Sequence, residues 1–200
     1  MYSTDYFQEK ALAKLNLTFR VLGKLPNGLH KIQSHVVFLP KIYDYLVVKK
    51  SNTLSIELRG KYAKELYALG GDTLITRTIK KACTFLSIQI NLTIILYKNI
   101  PLGSGLGGGS ADAAAIFRLL LKIYNLKIQR KKIIDFLSLI GSDVPACYFS
   151  KNILLGGHGN KIKKITNIKE KKWVLVIKPP ENISTKSIFD EFEDQFSYPV

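Results

Sequence analysis

The sequence predicts an α+β fold, on three observations. Strand-like segments fill residues 11–58, with clean period-two alternation at 11–23 and again at Leu54, Ile56 and Leu58, helical spacing begins only after Gly70-Gly71, and strand and helix interleave from there on. Strands first and helices later point to helices packed on one face of a mixed sheet. Residues 11–23 read as a half-buried strand, with Ala13, Leu15, Leu17, Phe19 and Val21 on one face and Lys14, Asn16, Thr18 and Arg20 on the other. Pro26-Asn27-Gly28 is a turn. Residues 31–39 and 43–48 read as two more strands, and Leu54, Ile56 and Leu58 alternate in another. Asp72 can cap a helix carrying Ile75, Ile79, Ala82 and Leu86 at helical spacing. Ile88, Ile90, Leu92, Ile94 and Leu96 form a strand, and an alanine-rich helix is expected from about Ser110 to Tyr124. Ile133, Leu137 and Ile140 mark another helix, stopped by Gly141. Val174 to Ile177 reads as a short strand ended by Pro179-Pro180, and a last helix is expected from Ser184 or Thr185.

The chain has 200 residues, 46% apolar and 22% charged, enough to bury a core and too apolar for a disordered chain. Two cysteines, Cys83 and Cys147, make neither a disulfide framework nor a metal-ligand spacing. Residues 1–10 carry no apolar core of a signal peptide, and no apolar run reaches membrane-spanning length, so the expected compartment is cytoplasmic, with no membrane partner. The formal net charge of +15 raises the question of a polyanion partner. Lysine supplies 25 of the 30 basic residues, a usage that codon bias also produces. The run Lys161, Lys163, Lys164, Lys169, Lys171, Lys172 reads either as a nucleic-acid face or as a solvated turn and strand edge. No RNA-binding or helix-turn-helix pattern accompanies it, so no nucleic-acid partner is expected.

The chemistry concentrates in residues 99–115, NIPLGSGLGGGSADAAA, where five of the seven positions 103–109 are glycine. Glycine allows left-handed backbone and close approach of a ligand. A strand before such a loop and a helix after it let backbone N–H groups converge on an anion. Ser110 adds a hydroxyl that can join phosphate or Mg2+ contacts, and Asp112 favours helix initiation. The loop is not a Walker A motif, because GxxxxGK[ST] is absent. Gly103, Gly105 and Gly108 satisfy GxGxxG, but a second helix follows where a dinucleotide fold needs a strand, and Asp135 lies inside it. No HRD or DFG follows, so the protein-kinase loop has no support either.

PLGSGLGGGSADAAA resembles the PxxxGLGxxxA phosphate-binding signature of the GHMP kinases. Three further segments are similar to the 4-diphosphocytidyl-2-C-methyl-D-erythritol kinase family within that group: AKLNLTFRVLGKLPNGLHKIQS at 13–34, GSDVPACYF at 141–149 and GGHGNKI at 156–162. The resemblance runs from about residue 11 to residue 190. It implies ATP-dependent phosphorylation of the 2-hydroxyl of the methylerythritol part of a CDP-linked substrate in non-mevalonate isoprenoid synthesis, with Mg2+. It implies a ribosomal-S5-domain-2-like N-terminal domain over residues 1–172. Residues 173–200 would be the start of a ferredoxin-like C-terminal domain that the family continues with a second glycine-rich loop. On that expectation the chain is a kinase completed by a separately encoded C-terminal half, or a truncated, inactive remnant of the same fold.

The resemblance assigns roles residue by residue. Asp143 matches the catalytic aspartate and would take the hydroxyl proton, whereas by itself it reads as a loop carboxylate or an N-cap before Val144-Pro145. Lys14 matches the catalytic lysine, whereas alternation alone makes it a solvated strand lysine. Asn16, two residues on and on the same face, matches a substrate-contacting asparagine. His30 matches the histidine at the cytosine edge. Lys98 corresponds to a lysine near the adenine, and Pro101, Leu102, Gly103, Ser104, Gly105, Leu106, Gly107, Gly108, Gly109, Ser110 and Ala111 to the ATP-binding loop. Phe189 corresponds either to an aromatic that stacks on cytosine or to a core residue. Leu29 stands where the family has a stacking tyrosine, and Thr73 replaces an asparagine near the adenine.

Overall fold

Two long strands form the frame of the computed structural model, which describes residues 6–26, 28–71, 73–164 and 173–177. β1 (Tyr6–Lys24) and β2 (His30–Lys50) pair antiparallel from Tyr6↔Lys49 to Lys24↔His30. β3 (Ser55–Arg59) lies parallel to β4 (Leu92–Tyr97), and β4 is antiparallel to Tyr45–Lys50 of β2. β5 (Ile153–Gly157) pairs with Ile32–Val36 of β2 and with β6 (Lys161–Lys164). The sheet order is therefore β3-β4-β2-β5-β6, with β1 beside β2. The mixed sheet and late helices match the α+β reading.

Five helices accompany the sheet among the described residues: α1 (Ala63–Ala68), α2 (Thr73–Leu86), α3 (Gly108–Ile123), α4 (Arg130–Ser138) and α5 (Val144–Phe149). α2 buries Ile75, Ile79 and Ala82, as their spacing predicts. α3 is apolar nearly all round, with Ala113 to Phe117 fully buried, because α2, α5 and the β1–β2 pair enclose it. Phe117 and Phe136 close this core with ring centroids 4.8 Å apart. Leu92, Ile94 and Leu96 supply the sheet face below, each with 0% exposure.

Four expectations change. Residues 31–39 and 43–48 are one strand, β2, and not two. The register jumps from Leu39↔Ala13 to Tyr43↔Leu12, so residues 40–42 bulge out, and Pro40, which has no N–H to donate, lies in the bulge. The alternation of β1 also breaks. Leu17 is the extra residue between Asn16↔Val36 and Thr18↔His35, and Leu17 and Phe19 end up 46% and 45% exposed. β4 begins at Leu92, so Ile88 and Ile90 precede the strand. Residues 173–177 form no strand; they are exposed and pair with none among the described residues, and an apolar run without a neighbour to bond does not make a strand. Phe189, Asp72 and the helix expected from residue 184 or 185 lie outside the described residues. α1 and α5, each of six residues, were too short to show a period.

Candidate active site

The glycine loop is pinned at both ends by apolar contacts. Ile100 and Leu106 are buried with Ala13 of β1, and the Lys14 amide donates to the Leu106 carbonyl at 2.9 Å. Between them the Ser104 hydroxyl donates to the Pro101 carbonyl at 2.7 Å. Gly107 sits at φ 68° as the N-cap of α3, a left-handed position that a residue with a Cβ adopts at a cost of about 1–2 kcal/mol. A Cβ there would also lie 2.7 Å from Lys14 Cγ. The Lys14 stem thus rests directly on the loop backbone. The first amide of α3 to reach back is Ala111, which donates to the Gly107 carbonyl at 2.8 Å. The amides of Gly108, Gly109 and Ser110 come before it, at the positive end of the helix dipole, where an anion is stabilised.

Lys14 and Asp143 meet there, although 129 positions separate them in the chain. Lys14 Nζ is 3.1 Å from Asp143 Oδ2, with side-chain exposures of 12% and 36%. The same Nζ donates to Asn16 Oδ1 at 3.1 Å, as the shared strand face predicts. Asp143 occupies the N-cap position of α5, yet its side chain makes no capping bond. Its carboxylate is turned to Lys14 instead. An ion pair whose carboxylate is partly open to water contributes about 0–1 kcal/mol to stability, so the arrangement is poorly explained as a stabilising device. The turn that presents Asp143 is backed by the glycine segment after β5, since a Cβ on Gly159 would lie 2.6 Å from the Ser142 carbonyl oxygen.

Lys98 is placed differently from the expectation that it lies near an adenine. It is 2% exposed, and its Nζ donates to Asp44 Oδ2 at 2.6 Å and to Asp112 Oδ2 at 2.5 Å. Burial lowers the pKa of this ammonium, but the charges of Asp112 and Asp44 outweigh it and hold the value above that of an ordinary lysine. Asp44 Oδ1 also accepts from the amides of Asn99 and Ile100, at 2.5 and 2.7 Å. The triad therefore joins β2, the end of β4 and the first turns of α3 beneath the loop. Sequence reasoning missed Asp44 as part of this site and read Asp112 only as a helix starter. The available signal was a carboxylate set in each of two apolar runs, YDYLVV and ADAAA, which calls for a buried partner.

His30 is not brought to the Lys14–Asp143 pair. It opens β2 opposite Lys24, whereas Lys14 pairs with Phe38 farther along the strand. Leu29 beside it is 47% exposed. Thr73 is the first residue of α2, and a cavity of about 890 Å³ is lined by Leu58, Tyr67, Gly70, Gly71 and Thr76, among others. Leu74 of α2 reaches the loop, 3.1 Å from where a Cβ of Gly109 would be. Ser110 is half-buried in the first turn of α3, and no cluster of three acidic, histidine or cysteine side chains exists among the described residues. Cys147, one turn into α5, is fully buried, and burial and the nearby Asp143 charge push its thiol pKa up to about 12. No helix among the described residues is long and apolar enough to cross a membrane.

Residues 73–151 match the family described as GHMP kinases N terminal domain. The chain is 35% identical over 197 residues to the 4-diphosphocytidyl-2-C-methyl-D-erythritol kinase of Ehrlichia ruminantium (strain Gardel), covering 97% of this chain and 67% of the relative. It is 33% identical over 183 residues to the enzyme of the same name from Parvibaculum lavamentivorans, covering 92% and 62%. The chain thus spans roughly two thirds of the length of these curated relatives. A crystal structure of 4-(cytidine 5'-diphospho)-2C-methyl-D-erythritol kinase superposes with a TM-score of 0.62 at 26% identity, over 80% of this chain and 55% of that one. The homoserine kinase of Cytophaga hutchinsonii gives a TM-score of 0.68 at 16% identity, over 98% and 63%, a likeness of fold. With its glycine loop, its paired Lys14 and Asp143 and its mixed sheet, the chain belongs to the 4-diphosphocytidyl-2-C-methyl-D-erythritol kinase family of GHMP kinases.

Proposed function

We propose that the chain transfers the γ-phosphoryl group of ATP to the 2-hydroxyl of 4-diphosphocytidyl-2-C-methyl-D-erythritol, a step in non-mevalonate isoprenoid precursor synthesis. The observation that carries this reading is the Lys14–Asp143 pair held at the N-terminal end of α3, 3.1 Å apart. Asp143 Oδ accepts the proton of the attacking hydroxyl, and its 36% exposure leaves that oxygen reachable. Lys14 Nζ holds the hydroxyl oxygen and offsets charge developing on the phosphoryl group. The amides of residues 108–110 orient the phosphates for in-line attack.

Asn16 fixes the Lys14 ammonium and faces the methylerythritol. His30 and Leu29, farther along the β1–β2 hairpin, meet the cytosine end, with Leu29 covering the base without a π-face. Phe189 is the aromatic proposed for the base's other side. The cavity lined by Tyr67 and Thr76 takes the purine, in place of the contact expected from Lys98. A Mg2+ ion would arrive on the nucleotide phosphates and be held by the Ser110 hydroxyl. A hard oxygen with no acidic cage around it among the described residues suits such a phosphate-borne ion, which supplies charge neutralisation when bound. Residues 1–172 are the ATP-binding domain in this reading and 173–200 begin the second.

The test is ADP release and phosphorylated product from ATP and the CDP-linked substrate. It is run with the chain alone and with the C-terminal portion of the Ehrlichia ruminantium relative added in trans. Product in either sample supports the reading; a folded chain that binds neither ATP nor substrate and gives no product in both samples overturns it. Gly107→Ala is expected to lower turnover by about tenfold or more, because the new methyl displaces the Lys14 stem and a shift of 1 Å at a reacting group is costly. Turnover equal to the native chain in the same assay would count against the contact.

A further inference from the structure

Arg118 lies on α3, well beyond the glycine loop, and no role in catalysis follows from its sequence context. Its guanidinium joins the three elements that build the site. Nε donates to Glu9 Oε1 at 2.9 Å, and Nη2 donates to the Lys10 carbonyl of β1 at 3.2 Å. Nη1 donates to the carbonyls of Cys147 and Tyr148 in α5, at 2.9 and 3.0 Å. The last carbonyls of a helix have no partner in its own ladder, and a cation there also meets the negative end of the dipole. The side chain is 19% exposed, so the charge-assisted bonds to Glu9 and α5 are partly shielded from water.

The consequence lies at the other end of each element. Lys10 is four residues before Lys14 on β1, and Cys147 is four residues after Asp143, with the Cys147 amide donating to the Asp143 carbonyl at 3.1 Å. The fork that ties Lys10 to the end of α5 thus ties the strand carrying Lys14 to the helix that starts at Asp143. We propose that Arg118 is a positioning residue, setting the separation of the Lys14 ammonium and the Asp143 carboxylate through β1 and α5. A lysine at 118 carries three donors on a single nitrogen and lacks the planar fork by which the guanidinium spans both elements.

The proposal deepens the kinase reading and rests on it only for the turnover measurement. The other readout is the lysine ammonium resonance in 15N-lysine-labelled full chain, which persists when the ammonium is held by a carboxylate away from water. Lys14, 12% exposed and bonded to both Asp143 and Asn16, is expected to give one such signal at low temperature and mildly acidic pH, assigned by its loss in Lys14→Arg. Lys98, buried between Asp44 and Asp112, gives the internal control. In Arg118→Met and in Arg118→Lys the Lys98 resonance is expected to stay, while that of Lys14 broadens into exchange with water. Turnover is expected to fall by about 10²-fold, with KM for ATP changing less than about twofold. A Lys14 resonance unchanged while that of Lys98 is retained overturns the proposal. Loss of both resonances together in both variants also overturns it, because Arg118 would then support the whole fold and not the pair. Turnover absent from the native chain, with the expected resonance pattern intact, counts against the kinase reading and leaves the positioning role standing.

Discussion

Asp143→Asn is expected to lower kcat by about 10²–10⁴-fold while leaving the melting temperature and KM for ATP close to native, as read by steady-state kinetics beside a thermal melt. The amide fills the same space but cannot accept the hydroxyl proton. The backbone of the turn is untouched, because the Asp143 carbonyl still receives the Cys147 amide and Gly159 still backs Ser142. The ion pair lost with the carboxylate is partly exposed and is worth at most about 1 kcal/mol. A variant with native kcat would remove Asp143 as the base. A variant that melts far below the native chain would make its role structural.

Lys98→Met acts on stability. The variant is expected to lose about 3–5 kcal/mol, measured as a shift of the denaturant midpoint, because Asp44 and Asp112 would be left as two buried carboxylates around an apolar side chain. The hydrogen bonds from Asn99 and Ile100 to Asp44 would have to carry that charge alone. The pH dependence has a definite sign. The folded-state pKa of Lys98 is raised above its unfolded value, since the two aspartates outweigh the burial that opposes them. Its stabilisation is therefore complete below the ordinary lysine value of 10.5 and is lost as pH rises through the folded value. Native protein should show this alkaline loss of stability and Lys98→Met should lack it. A variant within 1 kcal/mol of native stability would mean that the triad relaxes into water.

The elements legible in the sequence are those with long, uninterrupted periods. α2 and α3 lie within a few residues of where Ile75, Ile79, Ala82 and the alanine run place them. The β1–β2 hairpin was readable only in part. Its bulges at Leu17 and at residues 40–42 are set by pairing between distant residues, and alternation carries no information about them. In the site, Lys14 and Asn16 share a face because they are two apart on a strand, which sequence reveals. Their meeting with Asp143 depends on how α5 seats against β1, and only the resemblance of the GSDVP segment supplied it. Lys98 shows the opposite limit. Its motif position suggested a ligand contact, whereas Asp44, 54 positions away, pulls the ammonium beneath the loop.

The burial of Cys147 has a practical consequence. Thiol reagents attack the thiolate, and a thiol with a pKa near 12 inside α5 presents almost none at neutral pH. The chain's other cysteine, Cys83, is half-buried on α2, the helix that begins beside the cavity assigned to the purine. A small thiol-reactive fluorophore should therefore attach at Cys83 alone in the unmodified sequence. Nucleotide entry could then be followed optically from a single native label.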